Sequence, residues 1–383
     1  MLALQATRLF DGDRLISPPA VLIEDGKVVA VGVSVPETVL VVDLGNQTLL
    51  PGLIDCHVHL CFDGNGSLEE QVSGLDDEDL AWQARASAEQ ELRSGVTTLR
   101  DLGDRGYVTL ALRDDSSLPT ILAAGPPITR EGGHCWFLGG TCSTSDAALR
   151  RAVTERAERG CDVVKVMATG GLGTPTFPIW EAQFSVHELR VIVDEAHRSG
   201  LPVAAHCHGI VGIERALDAG ADSIEHCAFI TNGGRPEPNE SLFVRLASSG
   251  AVISATFGRL PDYPSPPEFA AAWAILMPAF RRLNELGATV VAGTDAGIVP
   301  AKSHGVLSCA FGDLIEIGMS PVQALRSLTA VAAKACGVAD RKGRLAPGFD
   351  ADIIALAGDP LVNPDAPLEV CSVWRAGERV VGN

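Results

Sequence analysis

Between residues 53 and 295 short apolar runs alternate with longer helical ones, and few chain patterns restrict topology more tightly. Candidate strands lie at Leu53–His59, Val96–Leu102, Pro119–Gly125, Asp162–Ala168, Pro202–His206, Ser223–His226, Ala251–Thr256 and Thr289–Asp295. Helical stretches such as Ser145–Arg159, Val186–Ser199, Ile210–Ala219, Glu240–Ser248 and Phe269–Leu286 separate most of them. Strand–helix alternation predicts an α/β fold with a parallel sheet, and a count of eight favours a closed (β/α)8 TIM barrel over a doubly wound sheet. The spacing is too irregular for a solenoid.

The two ends read differently. Ala20–Ile23, the turn Glu24–Lys27 and Val28–Gly32 predict a hairpin, while Asp352–Leu356, Val370–Val373 and Val380–Val381 predict strands near the C-terminus. Neither end alone has strands enough to bury a core. We therefore expect residues 1–51 and 344–383 to combine in one small β-sandwich domain, with the barrel at 52–343.

Charge narrows the partners. The chain has 30 Lys+Arg against 48 Asp+Glu, a net −18, so a polyanion meets repulsion. Nucleic acid and anionic membranes are poor partners. No apolar run is long enough for a spanning helix, and the first twenty residues lack the pattern of a secretion signal, so a cytoplasmic location is expected. Ten cysteines in 383 residues, without a CxxC pair, fit reduced thiols rather than a disulfide scaffold or zinc knuckle.

In a barrel, reactive groups belong at the C-terminal ends of strands. His57 and His59 close the first strand, His206 the fifth, His226 the sixth and Asp295 the eighth, and Lys165 lies within the fourth. Singly, each has an ordinary packing role; together they converge. Residues two apart on a strand share a face, about 6.6 Å apart along the chain, so His57 and His59 can meet on one ion. His206 and His226 add imidazoles from neighbouring strands, and Asp295 adds a carboxylate. That donor set suits Zn²⁺ and, less well, Fe, Mn or Co.

Pro51-Gly52-Leu53-Ile54-Asp55-Cys56-His57-Val58-His59, with the later Lys, His, His and Asp, resembles the amidohydrolase superfamily over almost the whole chain. Val28–Gly32 and Pro347–Ile353 resemble its end segments, which form a β-sandwich beside the barrel. Lys165-Val166-Met167-Ala168-Thr169-Gly170-Gly171 resembles the imidazolonepropionase-related branch, with its Xaa-Pro and Xaa-Arg dipeptidases and ochratoxin-hydrolysing amidases. The resemblance implies one ion on His57, His59 and Asp295, a second on His206 and His226, and Lys165 bridging them. An ammonium would repel a cation, whereas a buried neutral amine can add CO2 to become a carbamate (N6-carboxylysine). Two divalent ions, expected to be Zn²⁺, then share a water and lower its pKa.

The reaction so implied is hydrolysis of an amide or peptide C–N bond in a dipeptide, an N-acyl amino acid or another small amide. Asp295 would take the proton of the attacking hydroxide and return it to the amine. Mononuclear deaminases of the superfamily usually carry a Glu soon after the strand-five His; here His206-Cys207-His208-Gly209 has no carboxylate until Glu214. A lactonase or phosphotriesterase, or an imidazolonepropionase-like hydrolase of cyclic amides, would use the same site. A non-catalytic binding protein fits least well, and self-association stays open.

Other residues gather by topology. His208 is expected beside the site, in contact with substrate or supporting a ligand. The resemblance implies a loop His near the scissile carbonyl, a role for His134 in Glu131-Gly132-Gly133-His134, with a structural loop role as its rival. Gly170 and Gly171 should set backbone N–H groups beside the site, and Trp136 and Trp180 should wall it or pack. Cys56, Cys207 and Cys227 adjoin ligands but should face the helix layer. Asp76–Asp79 reads as a helix N-terminus, with an acidic rim for a cationic leaving residue as the alternative.

Overall fold

The computed structural model describes residues 1–364 and 367–382. Six short strands come first: β1 (Leu2–Gln5), β2 (Arg8–Leu9), β3 (Ala20–Glu24), β4 (Lys27–Val31), β5 (Leu40–Asp43) and β6 (Gln47–Pro51). The β3–β4 hairpin forms as expected, because Asp25 and Gly26 take φ of 48° and 74°, the left-handed pair that a tight antiparallel turn needs.

Eight parallel strands follow: β7 (Leu53–Val58), β8 (Val96–Asp101), β9 (Thr120–Ala123), β10 (Val164–Met167), β11 (Val203–Gly209), β12 (Ser223–Ile230), β13 (Val252–Ala255) and β14 (Val290–Ala292). They form two ladders, β7-β8-β9 and β10-β11-β12-β13-β14. Isolated parallel bridges, Ile128 to Val166 and Val58 to Ala296, join the ladders at both ends. These strands are buried almost throughout, as helices over a parallel sheet require. The helix Val186–Arg198 shows the pattern. Ser185 and Glu188 close a capping box at its start, and Leu189, Ile192, Val193 and Ala196 turn one stripe inward.

All four strands that carry the candidate His and Asp ligands end elsewhere than expected: β7 stops at Val58, one residue short of His59, and β11 runs three residues past His206 to Gly209. β12 continues past His226 to Ile230, with φ of 64°, 51° and 52° at His226, Cys227 and Phe229. β14 stops at Ala292, so Asp295 sits not at the strand end but in the turn beyond it, at φ 59°. A Cβ at Gly293 would lie 2.5 Å from His57 Cβ, so a glycine is needed where the end of β14 approaches β7.

The chain's two ends pair. β15 (Ile353–Ala357) runs antiparallel to β6, and β16 (Val370–Arg375) and β17 (Glu378–Val381) extend the sheet to the order β17-β16-β15-β6-β2. Beside it lies β4-β3-β1-β5. Leu4, Leu9, Val21, Leu49, Ile353 and Trp374 form a buried cluster drawn from both sheets and both ends. Neither end could exclude water from Trp374 alone. Among the described residues no helix is long and apolar enough to cross a membrane.

Candidate metal centre

β7 delivers His57 and, one residue past its end, His59. Their Nε2 atoms lie 3.3 Å apart, and Asp295 Oδ1 is 3.4 Å from each. The far nitrogen of each ring is anchored on an acceptor. His57 Nδ1 is 2.8 Å from Glu225 Oε2, and His59 Nδ1 is 2.9 Å from the Gly103 carbonyl. Those acceptors assign the ring protons to Nδ1, which leaves two Nε2 lone pairs and a carboxylate oxygen converging on one point. Three such lone pairs repel one another unless a cation lies between them.

The second group is imidazole-rich. The ring centroids of His206 and His226 are 4.5 Å apart, and His208 stacks on His226 at 4.4 Å. Ligand atoms of His206, His208 and His226 lie within 4.8 Å of one another, and so do those of His57, His226 and Asp295. His226 therefore stands between the two groups. Burial lowers the imidazoles: His57 to about 4, His208 to about 4, and His206 and His226 well below the usual value, so all four are neutral near pH 7. Burial alone would raise Asp295, but the imidazoles of His57 and His59 hold its carboxyl well below the usual range.

Lys165 on β10 is 1% exposed, and its Nζ has no hydrogen-bond partner among the described residues. Burial pushes its pKa down. A buried amine left without an acceptor is costly, and a neutral one suits carboxylation to an anionic group with two donor oxygens. The donor set as a whole fits a pair of divalent cations: neutral imidazoles, an ionised carboxylate and a lysine that can become a second one.

The remaining expected residues also gather here. His134 is buried, its ring centroid 4.6 Å from that of His206, and burial lowers its pKa to about 3. Its Nδ1 is 3.0 Å from the Thr174 hydroxyl, whose oxygen accepts the Cys135 N–H. Gly171 has no room for a side chain, because a Cβ would lie 2.3 Å from His134 Nε2. Gly170 corrects the expectation of a free N–H: that group donates to the Glu181 carbonyl, and it is the Gly170 carbonyl that faces His206 Nε2, at 3.0 Å. The 170–182 segment folds back on itself and uses the amide internally. Trp180 lies with its backbone against Gly209, the last residue of β11, and its ring edge near Gly234 in the segment after β12, and Trp136 is 42% exposed. Cys56, Cys207 and Cys227 are buried among apolar side chains, as expected. Asp76 caps the helix Asp77–Arg93 by accepting the Glu78 and Asp79 N–H groups, which matches the helix-terminus reading.

Four supporting residues escaped sequence reasoning. Glu225 takes His57 on one oxygen, and on the other it takes Arg100 Nη2 at 3.0 Å and the Ser223 hydroxyl at 2.5 Å. Burial would raise its pKa, but Arg100 and His57 hold it well below the usual range. Asp55 accepts the His57 and Thr294 N–H groups and the Thr294 hydroxyl, locking the end of β7 to the turn that carries Asp295. Buried Lys302 donates to the Thr256 and Thr294 carbonyls at 2.7 and 2.8 Å, holding that turn from its other side. A charged residue inside a buried-looking strand was the available signal for Glu225 and Arg100; Lys302 had none.

The fold and this cluster define an α/β chain with a candidate metal centre at one end of its parallel strands, and comparison places it. It belongs to the amidohydrolase family, whose model matches residues 48–263 and 267–380. It is 30% identical over 374 residues to ochratoxinase of Aspergillus niger, covering 87% of this chain and 76% of that one. It is 27% identical over 395 residues to imidazolonepropionase of Streptomyces griseus subsp. griseus, covering 96% and 93%. Among solved structures, a Xaa-Pro dipeptidase with methionine in its active site superposes with a TM-score of 0.85 at 27% identity, covering 100% of both chains. A prolidase complexed with N-methylphosphonate-L-proline gives 0.83 at 26%, also covering both fully.

Proposed function

We propose that this protein hydrolyses the C–N bond of small amides, dipeptides or N-acyl amino acids at a binuclear divalent-metal centre. The observation that carries the reading is Lys165: a buried, unpartnered amine beside a cluster of neutral imidazoles and an ionised aspartate. In this reading His57, His59 and Asp295 hold one ion, His206 and His226 the other, and carboxylated Lys165 belongs to both. Such ions, Zn²⁺ by donor set, would supply a water of lowered pKa and a Lewis acid for the substrate carbonyl when bound.

The chain's own groups do the rest. Asp295, ionised and 6% exposed, accepts the proton of the attacking water and returns it to the departing amine. His134, a neutral ring, is read as the donor to the carbonyl oxygen through Nε2, with Nδ1 accepting the Thr174 O–H. His208 faces the substrate, while Glu225 and Arg100 keep the His57 ring turned. The relatives support this chemistry, since a Xaa-Pro dipeptidase cleaves a peptide C–N bond by name. We read the eight parallel strands as one (β/α)8 barrel over 52–343, supported by the two bridges between ladders. Residues 1–51 and 344–383 are read as a β-sandwich, supported by the cluster shared between the end sheets.

The test is metal analysis together with a turnover panel of dipeptides, N-acyl amino acids, cyclic amides and esters. Two ions per chain, and amides turned over faster than esters, are expected. Asp295→Asn should keep some metal and lose turnover by several orders of magnitude. Esters outrunning amides, or normal turnover in Asp295→Asn, would overturn the reading.

A further inference from the structure

We propose that hydrogen peroxide joins Cys56 and Cys336 in a reversible disulfide, and that this bond loosens the hold on His57. Cys336 Sγ lies 3.7 Å from Cys56 Sγ, although the two stand 280 positions apart in the chain. A disulfide of about 2.05 Å therefore needs the sulfurs to close by less than about 2 Å. The inference goes beyond the hydrolase reading, since neither the bond nor its effect on metal binding requires turnover.

Strand alternation brings the pair together. On β7 His57 faces the ligand cluster, so Cys56 faces the helix layer. There it lies in a buried cluster with Ala332 and Ala333 of the helix Ala330–Ala335, whose small side chains allow close approach. Cys336 ends that helix. It is partly exposed whereas Cys56 is fully buried, so an oxidant from solvent meets Cys336 first. Cys142, Cys309 and Cys371 are partly exposed as well, but among the described residues only Cys56 and Cys336 bring two cysteine sulfurs into hydrogen-bonding contact. Cys207 and Cys227, which also adjoin ligands, have no exposed surface at which oxidation could start.

The chemistry closes on these two thiols and one peroxide. Contact with the Cys56 thiol, and then the Arg100 charge, lower the Cys336 pKa against the effect of burial, which favours the nucleophilic thiolate. The Cys336 sulfur attacks one peroxide oxygen, the O–O bond breaks, and a sulfenic acid forms as the first water leaves with the Cys336 proton. The Cys56 sulfur then attacks the sulfenic sulfur, the S–O bond breaks, and a second water leaves with the Cys56 proton. Both sulfurs are oxidised and the peroxide is reduced to two waters. In a reducing compartment such a bond is transient and serves as a signal rather than a staple.

Its effect reaches the ligands by a short route. The Cys56 carbonyl accepts Arg100 Nε at 2.7 Å, Arg100 Nη2 reaches Glu225 at 3.0 Å, and Glu225 holds His57 Nδ1 at 2.8 Å. Drawing Cys56 toward the helix pulls that run of contacts at its first member, on the residue bonded directly to His57. A ring that loses its anchor presents Nε2 less well to a cation.

The experiment treats zinc-loaded protein with hydrogen peroxide, blocks free thiols with iodoacetamide and maps peptides without reduction, alongside zinc affinity by chelator competition. Mapping should show Cys56 linked to Cys336 as the first cysteine product. Zinc affinity should fall at least tenfold and return after reduction with dithiothreitol and desalting. Cys336→Ser should bind zinc like the reduced wild type and keep that affinity through the same treatment. No Cys56–Cys336 linkage, a linkage that leaves zinc affinity unchanged, or an equal loss of affinity in Cys336→Ser would overturn the inference. Linkage and zinc loss in a protein that hydrolyses no amide would sink the hydrolase reading and leave this one standing.

Discussion

Glu225 Oε2 lies 2.8 Å from His57 Nδ1, and neither side chain has any exposed surface. The pair fixes which nitrogen of His57 carries the proton, and hence which one is free for a cation. Replacing the carboxylate by an amide keeps an acceptor but removes the charge that opposes Arg100. Glu225→Gln should therefore lower metal affinity on the order of 10–100-fold, read by chelator competition. Glu225→Ala should also cost about 3–5 kcal/mol in denaturant unfolding, because the buried Arg100 guanidinium loses its ionic partner. Wild-type affinity in Glu225→Gln would show that His57 needs no such anchor.

Lys165 gives a prediction of opposite sign for stability and activity. In metal-free protein its amine is buried without a partner, which costs about 1–3 kcal/mol relative to an apolar group of like length. Lys165→Met should unfold at higher denaturant than the metal-free wild type, while binding no bridged pair of ions and losing turnover. A destabilised Lys165→Met, or one that keeps two ions, would remove the assigned role.

Much of this site is legible in sequence because its donors are chemically distinctive and strand periodicity puts them at one end of a sheet. His57, His59, His206 and His226 could be placed from the chain alone. Their supports could not. Glu225 is 168 residues from His57, and no local pattern links two residues so far apart. The turn at Asp295 was also hidden, since a left-handed φ on an aspartate is set by Asp55 and Lys302 gripping Thr294 rather than by its own propensity. The end strands show the converse. Their alternation was plain, and their partnership followed from the need of each to bury an apolar face, which β6 and β15 satisfy together.

His304 ties the segment after β14 to the helix Asp77–Arg93, with Nδ1 3.0 Å from Glu91 Oε1 and Nε2 3.0 Å from the Phe62 carbonyl. Two acceptors fit a doubly protonated ring. Burial would lower its pKa, but the Glu91 carboxylate and the Phe62 carbonyl raise it above the ordinary value. With the folded pKa above an unfolded value of about 6.5, the stabilisation is full below that pH and is lost as pH rises through the folded pKa. Unfolding midpoints in urea should thus fall between neutral and alkaline pH, and His304→Gln should flatten that fall. An equal slope in the variant would exclude His304 as its source.

Gly171 offers a way to move His134 without touching a proposed ligand. A Cβ at Gly171 would sit 2.3 Å from His134 Nε2 and 2.6 Å from its Cε1, so the ring must shift. The backbone there is not left-handed, so Gly171→Ala adds no conformational strain and its effect is confined to that contact. Displacing a positioned donor by about an ångström costs on the order of 100-fold in turnover. Gly171→Ala should therefore keep its circular dichroism and metal content and lose activity to a similar extent as His134→Ala. If Gly171→Ala turns over normally while His134→Ala does not, the ring tolerates displacement. If both are normal, His134 is a structural residue of its loop and the carbonyl is polarised without it.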